Sequence, residues 1–190
     1  MCLNKTELRK ELKKLRLSTD KQLLAYADKA VYEAVISSQE YKECRSLLIY
    51  VSSEIEVDTR MITAHAFDNG KEVYAPRVIK GTRNMDFCRI HSFDDLESGY
   101  FGILEPKSVC PGTSEFEKAL CLVPALGYDN EGYRIGYGKG FYDVFLSGFQ
   151  GIKIGLCYSS CIRNTVFRNE FDVPVDILIT DKTKTIFDRM

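Results

Sequence analysis

The chain has 190 residues, with 26 Lys plus Arg against 27 Asp plus Glu, so its formal net charge is −1 and long-range attraction to nucleic acid is not built into it. Its residues are 45% hydrophobic, 28% charged and 12% aromatic, which excludes disorder and describes a chain able to bury a core, with one domain over 1–190 favoured at this length. No apolar run approaches the roughly 20 residues that cross a bilayer, and the start MCLNKTELRKELKK is charged where a signal peptide is apolar, pointing to a soluble, cytoplasmic protein.

Leu8, Leu12 and Leu15 recur at i, i+4 and i+7 among Lys and Glu, one apolar stripe on a cationic helix within the first 17 residues. Ser18, Thr19 and Asp20 offer N-caps to a second helix that turns Leu23, Ala27, Ala30, Val31, Ala34 and Val35 inward. The run from Ser46 to Ser52 reads as a buried strand. Asp58 or Thr59 caps a third helix carrying Met61, Ile62, Ala66 and Phe67, and Asn69-Gly70 ends it. A strand follows from Glu72 to Val78, Met85 to Ile90 is extended, and Phe101-Gly102 and Glu105-Pro106 read as loop. Ala119 to Pro124 is a buried strand, and a helix begins at Phe141 and runs to Leu146. Ile152 to Cys157 and Asp176 to Thr180 are strands, the last with a hairpin through Asp181 to Lys184. This alternation predicts an α/β layer with a largely parallel sheet.

The seven cysteines (Cys2, Cys44, Cys88, Cys110, Cys121, Cys157 and Cys161) are odd in number and scattered, so they read as reduced thiols. Cys157 and Cys161 are four apart rather than in a CxxC pair, and His65 and His91 have no partner at metal-ligand spacing.

Chemistry concentrates in the segment from Gly132 to Asp143, GYRIGYGKGFYD, which sets four glycines, Arg134 and Lys139 between a strand and a helix. Glycines let backbone amides approach phosphate oxygens, and the following helix N-terminus adds N–H donors and partial positive charge. Arg134 and Lys139 supply full charges, and Asp143 facing a polyphosphate makes sense chiefly with a magnesium ion between them. The segment is neither a Walker A loop, since Gly140 follows Lys139, nor GxGxxG.

Val123-Pro124 together with Gly132-x-Arg134-x-Gly136-x-Gly138-x-Gly140-Phe-Tyr142-Asp143 resembles the signature of the 5-formyltetrahydrofolate cyclo-ligases, also called 5,10-methenyltetrahydrofolate synthetases. The resemblance extends to Lys5 and Arg9 as K-x-x-x-R, Glu54-Ile-Glu56-Val-Asp58-Thr59, Pro76, Gly102 to Pro106, and Asp172 to Asp176. It implies a three-layer αβα sandwich acting as a monomer on small molecules, a reduced folate and ATP, with neither nucleic acid nor membrane as partner. The implied reaction converts 5-formyltetrahydrofolate into 5,10-methenyltetrahydrofolate, ADP and phosphate, with Mg2+ as cofactor and ATP as co-substrate.

Carried over residue by residue, the resemblance makes Lys5, Arg9, Arg134, Ile135, Gly136, Tyr137, Gly138, Lys139, Gly140, Phe141 and Tyr142 ATP ligands. Val51, Glu56 and the stretch Tyr137, Gly138, Lys139, Gly140 and Phe141 would face the folate. Lys139, Arg134 and Tyr142 are the implied catalytic groups, and Asp143 and Asp172 the metal ligands, with Asp176 competing for the second place. Glu56 has the alternative of capping the helix near Asp58, and Tyr137 that of packing beneath the loop. The family commonly shows Tyr-Tyr-Asp-Arg where this chain has Phe141-Tyr142-Asp143-Val144, so one hydroxyl and one charge are missing. That departure keeps open a folate- or nucleotide-binding protein without turnover, and a sugar-phosphate isomerase or acyl-carrier transferase on a similar scaffold would need no ATP.

Overall fold

The computed structural model describes residues 4–99 and 102–188; Cys2 and Phe101 lie outside them. Helix α1 (Lys5–Ser18) begins at a capping box in which Asn4 accepts from the Thr6 and Glu7 amides while Glu7 reaches back to the Asn4 amide. Asp20 caps α2 (Lys21–Ser37) through the Gln22 and Leu23 amides. Its inner face holds Leu24, Ala27, Val31 and Val35, and Leu23, expected inward, is 63% exposed. At about 100° per residue Leu24 stands about 20° from Val35 around the helix and Leu23 about 120°.

A short helix α3 (Gln39–Glu43), not anticipated, leads into β1 (Ser46–Leu48). The expected strand to Ser52 stops after three residues, although the Ile49 amide still donates to the Tyr74 carbonyl, because the chain then turns away to form the loop of residues 51–59. In α4 (Arg60–Asp68) the side chain of Thr59 makes no cap bond; the Asp58 carboxylate accepts from the Arg60 amide instead. Met61 is half exposed, and of the terminating pair only Gly70 is left-handed.

The expected strand β2 (Glu72–Val78) and the extended segment β3 (Met85–Ile90) pair antiparallel. Glu105 and Pro106, expected in a loop, belong to β5 (Leu104–Pro106), which pairs with β4 (Leu96–Ser98), and β6 (Gly112–Thr113) edges the main sheet beside β3. Strands β7 (Leu120–Val123), β10 (Ile152–Cys157) and β12 (Ile177–Thr180) run parallel with β1 and β2 in the order β12-β10-β7-β1-β2. Antiparallel β13 (Lys184–Ile186) closes the other edge, as the hairpin expectation required. Leu, Ile and Val dominate these central strands because both faces are covered: α2 packs on β12, α4 on β2, and α5 (Phe141–Gly148) lays Phe145 on Phe87. The result is a three-layer αβα sandwich with a mostly parallel sheet. A small second sheet of β8 (Gly127–Asp129), β9 (Arg134–Ile135) and β11 (Ile162–Arg163) rises from the carboxyl end of β7. The six described cysteines are free thiols and buried.

Candidate active site

The glycine-rich segment starts as the β8–β9 turn, where Asp129 Oδ1 accepts from the Glu131 and Tyr133 amides and Gly132 sits at φ +80°. It then passes from the carboxyl edge of the sheet to the N-terminus of α5, with Gly138 and Gly140 both left-handed and Gly140 in the N-cap place. Arg134 lies beneath the loop with its side chain 4% exposed. Its Nη1 donates to the Val173 carbonyl at 2.6 Å and its Nη2 pairs with Asp143. Burial pushes the Asp143 carboxyl above its ordinary value, with Arg134 opposing the rise and nearby Asp172 adding to it.

Helix α1 closes one side. Lys5 and Arg9, one turn apart, reach two parts of the same cleft: Lys5 Nζ is 2.6 Å from Asp172 Oδ2, and Arg9 Nε donates to the Gly136 carbonyl at 2.9 Å. A Cβ at Gly138 would come 3.2 Å from the Arg9 guanidinium carbon. Asp172 also accepts from the Asn169 amide, and lies beside Asp143. Asp176 instead pairs with Lys153 at 2.9 Å, at the opposite end of the strands.

The far wall is the turn after β1, with Val51 half buried. Glu56 is 8% exposed and holds the turn through Oε2, which accepts from the Ser53 amide and hydroxyl at 2.9 and 2.8 Å, so it does not cap the following helix. Tyr137 crosses from the loop to this wall, its hydroxyl facing Ser53 and Glu56 and its ring beneath the Lys13 ammonium, 5.2 Å from the centroid. Lys139 is exposed, Phe141 packs against the core, and Ile135 is buried, offering the cleft only backbone. The Tyr142 hydroxyl is buried without a hydrogen-bond partner, and burial holds it well above the usual tyrosine value.

Two residues escaped the sequence reading. Ser53 had no signal. Arg16 had one, because it stands four residues beyond Leu12 and so continues the buried row of α1.

Among the described residues no cluster of three acidic, His or Cys side chains could cage a metal. Asp143 and Asp172 still suit magnesium, which binds through one or two carboxylates together with phosphate oxygens and water. Their protein hydrogen bonds fall on Asp143 Oδ1 and Asp172 Oδ2. A broad groove of about 1220 Å³ near the amino ends of the strands, floored by Phe87, Phe116, Phe145 and Phe149, contains none of the motif residues. Open α/β sheets hold ligands at the carboxyl ends, where the motif lies.

Cations, backbone donors and paired acids gathered at that edge give an α/β protein with a charged cleft at the carboxyl ends of its strands. A profile of the 5-formyltetrahydrofolate cyclo-ligase family matches residues 2–181, and the chain belongs to that family. A probable 5-formyltetrahydrofolate cyclo-ligase of Caenorhabditis elegans is 34% identical, over 97% of this chain and 96% of its own length. The Haemophilus influenzae 5-formyltetrahydrofolate cyclo-ligase is 27% identical over 91% and 96%. The NMR structure of Aquifex aeolicus 5,10-methenyltetrahydrofolate synthetase superposes with a TM-score of 0.83 at 28% identity, covering 98% of this chain and 94% of that one.

Proposed function

We propose that the chain is a single-domain, monomeric, cytoplasmic enzyme that converts 5-formyltetrahydrofolate into 5,10-methenyltetrahydrofolate with consumption of ATP in the presence of magnesium. The observation that carries this reading is the meeting of Lys5 with Asp172, 167 residues away in the chain, beside the Arg134–Asp143 pair and the glycine loop that Arg9 holds. Among the described residues no helix is long and apolar enough to cross a membrane.

The formamide oxygen of the substrate is a poor leaving group, and transfer of the γ-phosphoryl group to it lets phosphate depart in place of water when N10 closes the ring. Such a transfer asks a protein for positioning and charge neutralisation rather than for a nucleophile. Lys5, Arg9, Arg134 and Lys139 supply cations for the phosphates, and the backbone of residues 135–142 supplies amide donors. The Tyr142 hydroxyl, without a partner among the described residues, is a donor for the bound reactants. Glu56 accepts from pterin N–H groups through the carboxylate that Ser53 orients, Val51 gives an apolar wall, and Tyr137 with residues 138–141 covers the folate. Asp143 and Asp172 would hold magnesium, which when bound neutralises charge on the phosphate oxygens.

The test is formation of the methenyl product, followed by its near-ultraviolet absorbance, with and without ATP. Wild-type protein should form it only with ATP, releasing phosphate, while Lys139→Ala and Asp143→Asn should lose about a hundredfold or more in rate. Folate binding without phosphate release would support the non-catalytic alternative, and turnover without ATP would reject the reading.

A further inference from the structure

Arg16 is 2% exposed, yet no carboxylate pairs with it among the described residues. Its guanidinium donates to three main-chain carbonyls: Nη1 to Ile55 at 2.6 Å, and Nη2 to Ala125 at 2.7 Å and Leu126 at 2.8 Å. Nη2 also lies 3.7 Å from Cys157 Sγ. Ile55 follows β1, Ala125 and Leu126 follow β7, and Cys157 ends β10, so one side chain ties the carboxyl ends of three adjacent strands to α1. The ring of Tyr158 packs 5.3 Å from the guanidinium carbon, and its hydroxyl donates to the Glu56 carbonyl at 3.1 Å and to Asp28 at 2.8 Å. A hydrogen bond with Cys157 draws the Cys161 thiol below its ordinary value against its burial, and Arg16 adds to the pull.

A buried cation whose Nη groups reach carbonyls while its Nε has no hydrogen-bond partner among the described residues is costly to keep, and a hydrophobic side chain in its place would serve packing alone. These carbonyls include that of Ile55, the neighbour of Glu56, and Tyr158 holds the carbonyl of Glu56 itself. We infer that Arg16, braced by Tyr158, is a positioning residue that fixes the Glu56 turn for the folate, acting on folate recognition and not on the ATP side of the cleft. The inference rests on the proposed folate role of Glu56. The ATP side has anchors of its own in Lys5–Asp172, Arg9–Gly136 and Arg134–Asp143, and meets the Arg16 network at Leu126, whose amide donates to the Ile135 carbonyl.

The experiment measures 5-formyltetrahydrofolate affinity by calorimetry, together with the KM values for folate and ATP, in Arg16→Lys, Tyr158→Phe, Glu56→Gln and the double variants. Arg16→Lys should weaken folate binding about tenfold and leave the ATP KM within about twofold. In the Glu56→Gln background the same substitution should cost less than about twofold, because the group through which it acts is already altered. Parallel loss of folate and ATP affinity, or a full additional tenfold loss in the Glu56→Gln background, overturns the inference. Should Arg16→Lys fail to fold, Tyr158→Phe decides alone: it withdraws one brace with Arg16 intact, and unchanged folate affinity there overturns the proposal. Wild-type protein that binds no folate would remove the functional reading itself, a result distinct from wild-type binding with unselective variants.

Discussion

Replacing Gly136, Gly138 and Gly140 one at a time by Ala separates two reasons for which this loop needs glycine. Gly138 and Gly140 lie at φ +92° and +78°, whereas Gly136 has no positive φ and a Cβ built there meets nothing within 4 Å. Ala held in a left-handed conformation costs about 1–2 kcal/mol, and for a chain of this size each kcal/mol moves the melting temperature by about 2–4 °C. Gly138→Ala and Gly140→Ala should therefore melt about 2–8 °C lower. Gly138→Ala should also press on Arg9, at 3.2 Å, and loosen its bond to the Gly136 carbonyl. Gly136→Ala carries no such strain and should hold or gain about 0.4–1 kcal/mol through the unfolded chain. If phosphate oxygens approach this backbone, the added methyl group will nonetheless raise the KM for ATP about tenfold. Thermal melts and initial rates of methenyl formation read the two effects independently. A Gly136→Ala protein with wild-type melting and wild-type KM for ATP would refute the cradle, and undiminished stability in Gly138→Ala would refute the conformational argument.

Two further outcomes follow from groups whose surroundings suit them poorly. Tyr142→Phe removes a buried hydroxyl that has no partner, so the melting temperature should rise by about 2–4 °C, corresponding to about 1 kcal/mol, while methenyl formation falls; a destabilised variant would mean that the hydroxyl is satisfied after all. Burial raises the Asp28 carboxyl above its ordinary value despite bonds from the Asp58 amide and Tyr158, so folding favours the protonated form and this group's contribution is full below about pH 4 and lost as pH rises through the folded value. Asp28→Asn, which keeps the acceptor, should match wild type in acid and melt higher at neutral pH, and a melting difference that does not change with pH would contradict this.

The legible parts of the molecule are those where period and burial agree. Glu72–Val78, Met85–Ile90 and Ile152–Cys157 are strands at the anticipated limits because their β-branched and aromatic residues and length of six or seven leave no competing helical reading. The glycine loop was legible because left-handed backbone at Gly138 and Gly140 leaves few residue choices. Short elements were not: α3 has five residues and β9 two, too few for any period to register. Leu23 and Leu24 differ by one step of helical phase, which composition cannot resolve and the Asp20 cap sets. Arg16 was hidden by its neighbours Lys13 and Lys14, whose solvated charge is the ordinary fate of a basic helix face. What distinguishes it is position on the row of Leu8 and Leu12, and its partners are carbonyls, which every residue carries and which therefore leave no trace in a sequence.

In the cleft the acids and bases pair with one another. Lys5 answers Asp172 and Arg134 answers Asp143, with Arg134 nearly buried and the Asp143 carboxyl already disfavoured by its own burial. A polyphosphate entering alone and claiming both cations would leave two part-buried carboxylates facing its own negative charge. A divalent cation entering alone would strand the two bases in the same way. Entering together, the anion takes the bases and the cation takes the acids, and no charge loses its partner. On the proposed reading, this pairing of acids with bases would favour a phosphate ligand that arrives with its metal, and would account for acidic residues where a simple electrostatic trap would have none.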